Sequence, residues 1–262
     1  MKKRLTLIQM DVHVNDVEYN YNRVQELLTQ SLSESPDIIV LPETWNTGFY
    51  PSTDLINIAD NNGDRTKALL SAFSKEHNVN IVGGSVAVAK DNLVFNTSYV
   101  YNRSGELVGE YSKMHGFSPA KEDKYFASGT HTTHFELDGI PCSTVICYDI
   151  RFPELVRMAA LPGTELLFVP AQWPTMRLRH WQVLNEVRAI ENQLFVCAVN
   201  GCGTVGRVQS TGHSAVYDPW GTNLLEMNTN EGIASVDIDL AVEDIRNKIN
   251  IFRDRKPELY NL

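Results

Sequence analysis

The sequence predicts a mixed α/β (α+β) fold in which β-sheets are covered by helices. Three observations support this prediction. Short apolar runs typical of buried strands alternate with segments whose apolar residues recur every three or four positions, as on one face of a helix. At several places, two strand-like runs are separated only by a turn signal, as in a hairpin. No stretch rich in Pro, Gly or Ser marks a linker, so we expect residues 1–262 to form a single domain.

Strands are predicted wherever a short apolar run is bounded by turn-forming residues. In chain order, these runs cover residues 5–10, 37–41, 80–89, 93–101, 107–111, 132–137, 142–146, 165–169, 194–199, 214–217 and 232–238. Asp138-Gly139 lies between two of them and predicts a hairpin. The segment 111–129 has no periodic pattern and predicts a long loop, and long loops in compact domains are often functional.

Helices are predicted between the strands, where apolar residues share one face or a capping residue marks a start. Asn15 can cap the first helix. Pro153 marks the start of the third, because proline is favoured in the first helical turn. The other predicted helices cover residues 64–77, 177–192 and 240–248.

Composition and charge exclude several classes of protein. The chain has 23 Lys and Arg against 32 Asp and Glu, a net charge of −9, and no basic patch that could bind nucleic acid. No apolar run approaches the ~20 residues that span a membrane, and the apolar stretch after the basic residues 2–4 is too short for a signal peptide. We therefore expect a cytoplasmic protein with neither a nucleic-acid nor a membrane partner.

Glu43, Lys113 and Cys147 each follow one of the predicted strands. Strand ends hold such groups rigidly, and a carboxylate, an ammonium and a thiol form a coherent nucleophilic set. A free cysteine is mostly protonated at neutral pH, but a nearby cation and a helix N-terminus favour its thiolate. We therefore expect Lys113 to favour the thiolate of Cys147, and Glu43 to accept the thiol proton and later activate water.

Each of these residues also has an ordinary structural interpretation. A cysteine at a strand end can be a small core residue, a loop glutamate can be a cap, and a lysine usually lies at the surface. All four cysteines are expected to be free thiols, because disulfides are rare in the cytoplasm. Cys142 and Cys147 should face opposite sides of a strand, so no metal site is expected. Spacing alone does not bring the three residues together.

Longer stretches around these residues carry a recognisable pattern. LPETWNTGF surrounds Glu43, YSKMHGF surrounds Lys113, and CYDIRFPEL begins at Cys147. The segments HWQVLNEVRAIENQLFV, GHSAVYDPWG and the C-terminal IRNKINIFRDRKPELY follow in order. Together they resemble the nitrilase superfamily of carbon–nitrogen hydrolases, and the resemblance covers nearly the whole chain.

The resemblance implies a four-layer α-β-β-α sandwich that forms a homodimer. It implies that Cys147 is the nucleophile, that Glu43 is the general base, and that Lys113 stabilises the oxyanion with the backbone N–H of Tyr148. Glu122 matches a second glutamate that positions the lysine or the substrate. The implied reaction uses a small-molecule amide and water, passes through a thioester, and requires no cofactor.

Within the family, the sequence resembles the omega-amidases. Tyr-Asp follows Cys147 where true nitrilases commonly have Trp-Glu, which indicates amides rather than nitriles. The segment 46–49 (NTGF) looks like that of omega-amidases, which hydrolyse 2-oxoglutaramate or 2-oxosuccinamate. Deaminated-glutathione amidases and N-carbamoyl amino acid hydrolases remain alternatives within the family. A metal-dependent phosphoesterase and a catalytically silent binding protein are the alternatives from other classes.

A keto-acid amide carries a carboxylate, so its pocket should offer a cation. Arg151, Arg177 and Arg179 are the arginines nearest the motifs, although Arg151 is expected to pair with an acid instead. Trp173 resembles the pocket wall of the family, and Phe49 is a second candidate for that wall. Both aromatic residues could equally serve ordinary packing.

Overall fold

The computed structural model describes residues 2–49, 52–205 and 208–260 as two large β-sheets with helices against them. The strands are β1 Lys2–Gln9, β2 Ile38–Val40, β3 Asp60–Asn61, β4 Asn80–Val82, β5 Val86–Lys90, β6 Leu93–Tyr101, β7 Leu107–Ser112, β8 His134–Leu137, β9 Ile140–Thr144, β10 Leu166–Ala171, β11 Phe195–Asn200, β12 Thr204–Val205, β13 Val208–Gln209, β14 Ala215–Tyr217, β15 Asn223–Glu226 and β16 Gly232–Asp239. The α-helices are α1 Val17–Ser31, α2 Leu55–Ile58, α3 Asp64–His77, α4 Pro153–Ala160, α5 Leu178–Asn192, α6 Val242–Lys248 and α7 Ile251–Asp254. Short 3₁₀ turns cover Leu32–Glu34, Ser118–Ala120, Glu122–Lys124, Cys147–Arg151, Thr175–Arg177 and Pro257–Leu259.

The two sheets are both mixed. The eight-stranded sheet has the order β16-β1-β2-β4-β6-β5-β3, with β7 paired to β6. The six-stranded sheet has the order β15-β14-β11-β10-β9-β8. Parallel pairs form the centre of each sheet, β1-β2-β4 in the first and β9-β10-β11 in the second. The strands β12 and β13 form a separate antiparallel ribbon.

Three apolar clusters show how the layers stack. The central cluster joins the facing sides of the two sheets, with Leu7 from β1 and Phe168 from β10 among its members. A second cluster packs α1 and α3 on the eight-stranded sheet through Tyr21 and Leu70. The third packs α4 and α5 on the six-stranded sheet. The result is a four-layer α-β-β-α sandwich, which confirms the predicted fold class. Within the described residues, no helix is long and apolar enough to cross a membrane.

The predicted strand 80–89 is in fact two strands, β4 and β5, because the chain bends between them. Gly84 has a left-handed φ of 61°, and a Cβ there would lie 2.0 Å from the carbonyl oxygen of Pro42. The backbone N–H of Ser85 donates to the same oxygen at 3.0 Å. This close approach fixes the segment that carries Glu43 against the sheet.

Most other predicted elements agree with the structure to within a few residues. The hairpin around Asp138-Gly139 is confirmed as β8 and β9. The predicted cap Asn15 is wrong: Asp16 caps α1, and its carboxylate accepts the N–H of Tyr19 at 3.2 Å. The predicted loop 111–129 begins only after Ser112, because β7 continues to that residue, which pairs with Thr97 of β6. Two 3₁₀ turns lie within the loop.

Candidate active site

Three strand ends from both sheets meet at one place. Glu43 follows β2 and Lys113 follows β7, both in the eight-stranded sheet, whereas Cys147 follows β9 in the six-stranded sheet. All three residues are buried. The structure therefore brings together residues that the sequence showed only at separate strand ends.

The carboxylate of Glu43 is fully buried and faces hydrogen-bond donors. Its Oε1 accepts from Nζ of Lys113 at 2.8 Å and from Nδ2 of Asn96 at 2.9 Å. Its Oε2 accepts from the backbone N–H of Gln172, which follows β10, at 2.8 Å. These donors fix the orientation of the carboxylate.

Lys113 lies between two carboxylates. Its Nζ donates to Glu43 at 2.8 Å and to the two oxygens of Glu122 at 2.8 and 2.9 Å. Burial alone would lower the pKa of Lys113, but the two carboxylates outweigh it and hold the pKa well above its usual value. Burial raises the pKa of Glu122 against the opposing charge of Lys113. The ammonium is therefore a fixed positive charge in the site.

Cys147 lies beyond its strand, at the start of the 3₁₀ turn Cys147–Arg151. Its φ of 48° is in the left-handed region that side-chain-bearing residues rarely adopt. The expected alternation with Cys142 on one strand is therefore wrong, because β9 ends before the turn begins. The turn presents the thiol at the junction of the two sheets.

Asp149 holds this turn in place. Its buried carboxylate accepts the N–H of Ile146 at 3.0 Å and the hydroxyl of Tyr111 at 2.7 Å. It also accepts the backbone N–H of His115 at 3.0 Å and contacts Nδ1 of that ring at 2.8 Å. Since His115 is two residues beyond Lys113, Asp149 ties the cysteine turn to the lysine segment.

The surroundings of Cys147 favour its neutral thiol. Burial raises its pKa, the charge of Glu43 raises it further, and Lys113 opposes both without outweighing them. Lys113 thus favours the thiolate, but burial and the charge of Glu43 together favour the neutral thiol more strongly. Glu43 is the carboxylate that acts most strongly on the thiol, which makes it the candidate acceptor of the thiol proton.

A cavity of about 560 Å³ opens onto Cys147. Phe49, Tyr148 and Trp173, the three residues predicted to bind the substrate, all line this cavity. The indole N–H of Trp173 donates to the carbonyl oxygen of Arg177 at 2.8 Å, which fixes that part of the wall. The cationic members of the wall are Lys121, Arg151 and Arg177. None of the described lining residues is a carboxylate, so the cavity has the charge that suits an anionic ligand.

Arg151 stacks on the aromatic wall. Its guanidinium carbon lies 4.7 Å from the ring centroid of Trp173 and 6.0 Å from that of Tyr148. Its Nη2 donates to Nδ1 of His180 at 3.2 Å. Among the residues that the structure describes, no carboxylate forms an ion pair with Arg151, so the expected pairing with an acid is wrong. Arg179 is exposed and does not line the cavity.

Sequence reasoning missed three residues of this site. Asn96 is a buried polar residue inside an apolar strand, and that contrast was the available signal. Asp149 stands inside the quoted segment CYDIRFPEL, where its structural role could have been considered. Gln172 contributes a backbone N–H, for which the sequence carries no signal.

A four-layer sandwich with a buried carboxylate, ammonium and thiol defines a hydrolase that acts through a cysteine. The profile of the carbon–nitrogen hydrolase family matches residues 4–246, and the chain belongs to that family. A 2-oxoglutaramate amidase of Bacillus subtilis (strain 168) is 40% identical over 261 residues, covering 99% of this chain and 100% of that protein. Omega-amidase NIT2 of Danio rerio is 30% identical, covering 100% of this chain and 97% of that protein.

A solved structure agrees with this assignment. A CN-hydrolase superfamily protein from Xanthomonas campestris, with an arsenic adduct in its active site, superposes with a TM-score of 0.89 at 30% identity and covers 98% of each chain. The chain is thus an amidase of the nitrilase superfamily that acts on a small-molecule amide with water.

Proposed function

We propose that the protein hydrolyses the terminal amide of a small keto-acid amide such as 2-oxoglutaramate or 2-oxosuccinamate. The observation that carries this proposal is the cationic cavity wall beside Cys147, which holds no carboxylate among its described residues. A substrate that bears a carboxylate would find there an opposite charge and an amide-reactive thiol. The 40% identity to a 2-oxoglutaramate amidase supports the same substrate class.

In the first half of the proposed reaction, the thiol attacks the amide carbonyl carbon. Glu43 accepts the thiol proton as the C–S bond forms. Negative charge develops on the carbonyl oxygen, where Lys113 and the N–H of Tyr148 are the proposed donors. That N–H lies in the first turn of its 3₁₀ segment, where no partner exists within the turn. One donor aimed at an oxyanion is typically worth a factor of ~10²–10³ in rate.

In the second half, Glu43 gives its proton to the leaving nitrogen, the C–N bond breaks, and ammonia departs. The acyl group remains on Cys147 as a thioester. Glu43 then takes a proton from water, and the resulting hydroxide adds to the thioester carbon. When the C–S bond breaks, the acid is released, and the proton returns to the sulfur. Glu122 keeps the ammonium of Lys113 in place throughout.

Arg151 is the proposed partner of the substrate carboxylate. A guanidinium binds a carboxylate in a bidentate manner, and stacking on Trp173 and Tyr148 holds it at the wall. We expect Arg151→Met to raise KM for 2-oxoglutaramate about 10- to 100-fold with little change in kcat, because a charged hydrogen bond is lost. Ammonia release under steady-state conditions measures both constants.

Two comparisons make this test specific. Arg179→Met removes an exposed arginine that does not line the cavity and should leave KM unchanged. Pentanamide has a similar chain length but no carboxylate, so Arg151→Met should not weaken its binding. An unchanged KM for 2-oxoglutaramate in Arg151→Met would reject this arginine as the carboxylate partner.

The size of the cavity favours a second candidate function. Cavities of ~300–1,000 Å³ suit drug-sized ligands, and the cavity here is about 560 Å³. Lys121 and Arg177 could meet a second carboxylate on the leaving amine, as in deaminated glutathione. Release of 2-oxoglutarate, the acid that both substrates yield, decides between the candidates, since a higher kcat/KM for deaminated glutathione than for 2-oxoglutaramate would favour the longer amide.

We further propose that residues 1–262 act as a single domain and that the protein is a cytoplasmic homodimer. Exposed apolar side chains on or beside α4 and α5 offer a surface for such a contact. They include Met158, Leu161, Val187, Ile190 and Trp220. Light scattering should give twice the mass of one chain, and a monomer mass at micromolar concentration would contradict the dimer.

A further inference from the structure

Asn96 lies where the charged groups of the site meet, and none of the proposed roles uses it. Its side chain is buried on β6. Nδ2 donates to Oε1 of Glu43 at 2.9 Å and to Oε1 of Glu122 at 3.3 Å. Its backbone carbonyl oxygen accepts the backbone N–H of Lys113 at 2.9 Å. One residue therefore contacts both carboxylates and the main chain of the lysine between them.

The charge balance of the cluster explains why such a donor is needed. Two buried carboxylates face a single ammonium, so the cluster has an excess of negative charge when both are ionised. Burial already raises the pKa of Glu122 against the opposing charge of Lys113. A hydrogen bond donated to a carboxylate favours its charged form. The amide of Asn96 supplies that donor without adding a charge.

The side-chain oxygen of Asn96 indicates that the donor contacts of Nδ2 are the reason why an asparagine stands at this position. Oδ1 of Asn96 is buried and has no hydrogen-bond partner among the described residues. An unpaired buried acceptor costs stability, and an apolar residue of similar shape would avoid that cost. Compared with an apolar residue of similar shape, the asparagine therefore contributes one thing more, the Nδ2 donor that Glu43 and Glu122 share.

We propose that Asn96 is a positioning residue that keeps Glu43 ionised and oriented toward the thiol of Cys147. This inference rests on the proposed role of Glu43 as general base. When Glu43 takes up the thiol proton, Nδ2 keeps its second acceptor, Glu122. The cluster can then return to the same arrangement for the second proton transfer, from water.

Two substitutions and one control test the proposal. Asn96→Ala removes the donor, and Asn96→Asp keeps the shape but replaces the donor with a carboxyl group. Ser98→Ala is the matched control, because Ser98 is buried two residues further along β6 and its hydroxyl has no described partner. Ammonia release from 2-oxoglutaramate is followed against pH, with melting temperature measured in parallel.

We expect Asn96→Ala to lower kcat about 10- to 100-fold at an unchanged KM. The acidic limb of its pH profile should move to higher pH, because the carboxylates are then easier to protonate. Asn96→Asp should lose more activity at neutral pH, since its new carboxylate would lie against the carboxylates of Glu43 and Glu122, which already share the one ammonium of Lys113. It should regain activity at lower pH, where the introduced carboxyl group is protonated and can donate. Ser98→Ala should match the wild type.

A purely structural asparagine would give a different result. Its variants would melt at lower temperature, but the folded fraction would keep the wild-type kcat and pH profile, and that result overturns the proposal. An equal loss of kcat in Ser98→Ala would also overturn it.

Alkylation of Cys147 by iodoacetamide, followed by peptide mass spectrometry, separates this proposal from the proposed function. Asn96→Asp should slow alkylation, because a new negative charge raises the pKa of the thiol. An unchanged rate overturns the role of Asn96 even if 2-oxoglutaramate is not a substrate. Turnover that persists in Cys147→Ala would instead reject the proposed function.

Discussion

Replacement of Cys147 by alanine is expected to reduce ammonia release from 2-oxoglutaramate by about 10⁴-fold or more. Without Sγ no thioester can form, and direct attack by water would have to rely on the remaining charged groups. Alanine meets the same backbone constraint at the φ of 48° as cysteine does, and the change removes one buried atom. The melting temperature should therefore change little, and a thermal melt beside the ammonia assay checks this.

Cys142→Ala is the matched control for this substitution. Cys142 is also a buried free thiol of the six-stranded sheet, but it does not line the cavity. Its loss should leave kcat unchanged. Wild-type turnover by Cys147→Ala would reject Cys147 as the nucleophile, whereas an equal loss in both variants would indicate damage to the core.

Glu43→Gln is expected to have opposite effects on two reactions of the same thiol. Hydrolysis should fall about 10³-fold, because the amide cannot take the proton from Cys147 or from water. Alkylation of Cys147 by iodoacetamide should become faster at neutral pH. The reason is that the charge of Glu43 helps to raise the pKa of the thiol, and its removal leaves the ammonium of Lys113 to favour the thiolate.

The pH dependence of alkylation makes the sign of this effect explicit. Loss of a negative charge lowers the pKa of Cys147, so the alkylation curve should move to lower pH in Glu43→Gln. Glu165→Gln is the control. Glu165 is a partly buried acid that precedes β10, whereas Gln172 follows the other end of the same strand. If hydrolysis and alkylation fell in parallel in Glu43→Gln, the charge of Glu43 would not be what keeps the thiol neutral.

The positions of the principal site residues could be predicted because each follows a short apolar strand. Runs such as 37–41 end at a turn, and a reactive group there is held rigidly. The sequence also predicted α3 and the β8–β9 hairpin from local patterns alone. The contact between Glu43, Lys113 and Cys147 depends on how the two sheets pack. Local sequence patterns carry no information about that packing.

Residues whose role depends on tertiary contacts could not be predicted in the same way. Asn96 acts through two glutamates distant in sequence, so its strand pattern indicates only a buried polar residue. Arg151 was expected to pair with an acid, but it stacks on aromatic rings that approach only in the folded protein. The bend at Gly84 depends on its close approach to Pro42. This contact joins two segments that are distant in sequence, so the local pattern around Gly84 does not reveal it.

The division of the site between the two sheets makes catalysis sensitive to their relative alignment. Glu43 and Lys113, the proposed base and the ammonium, follow strands of the eight-stranded sheet, and Cys147, the proposed nucleophile, follows a strand of the six-stranded sheet. A slip of the sheets by 1 Å would preserve the secondary structure of each, yet displacements of that size can cost about 10²-fold in rate. The apolar contacts of Leu7 and Phe168 in the central layer help to hold this alignment, and with it the distance between Glu43 and the sulfur of Cys147, from a position remote from both residues.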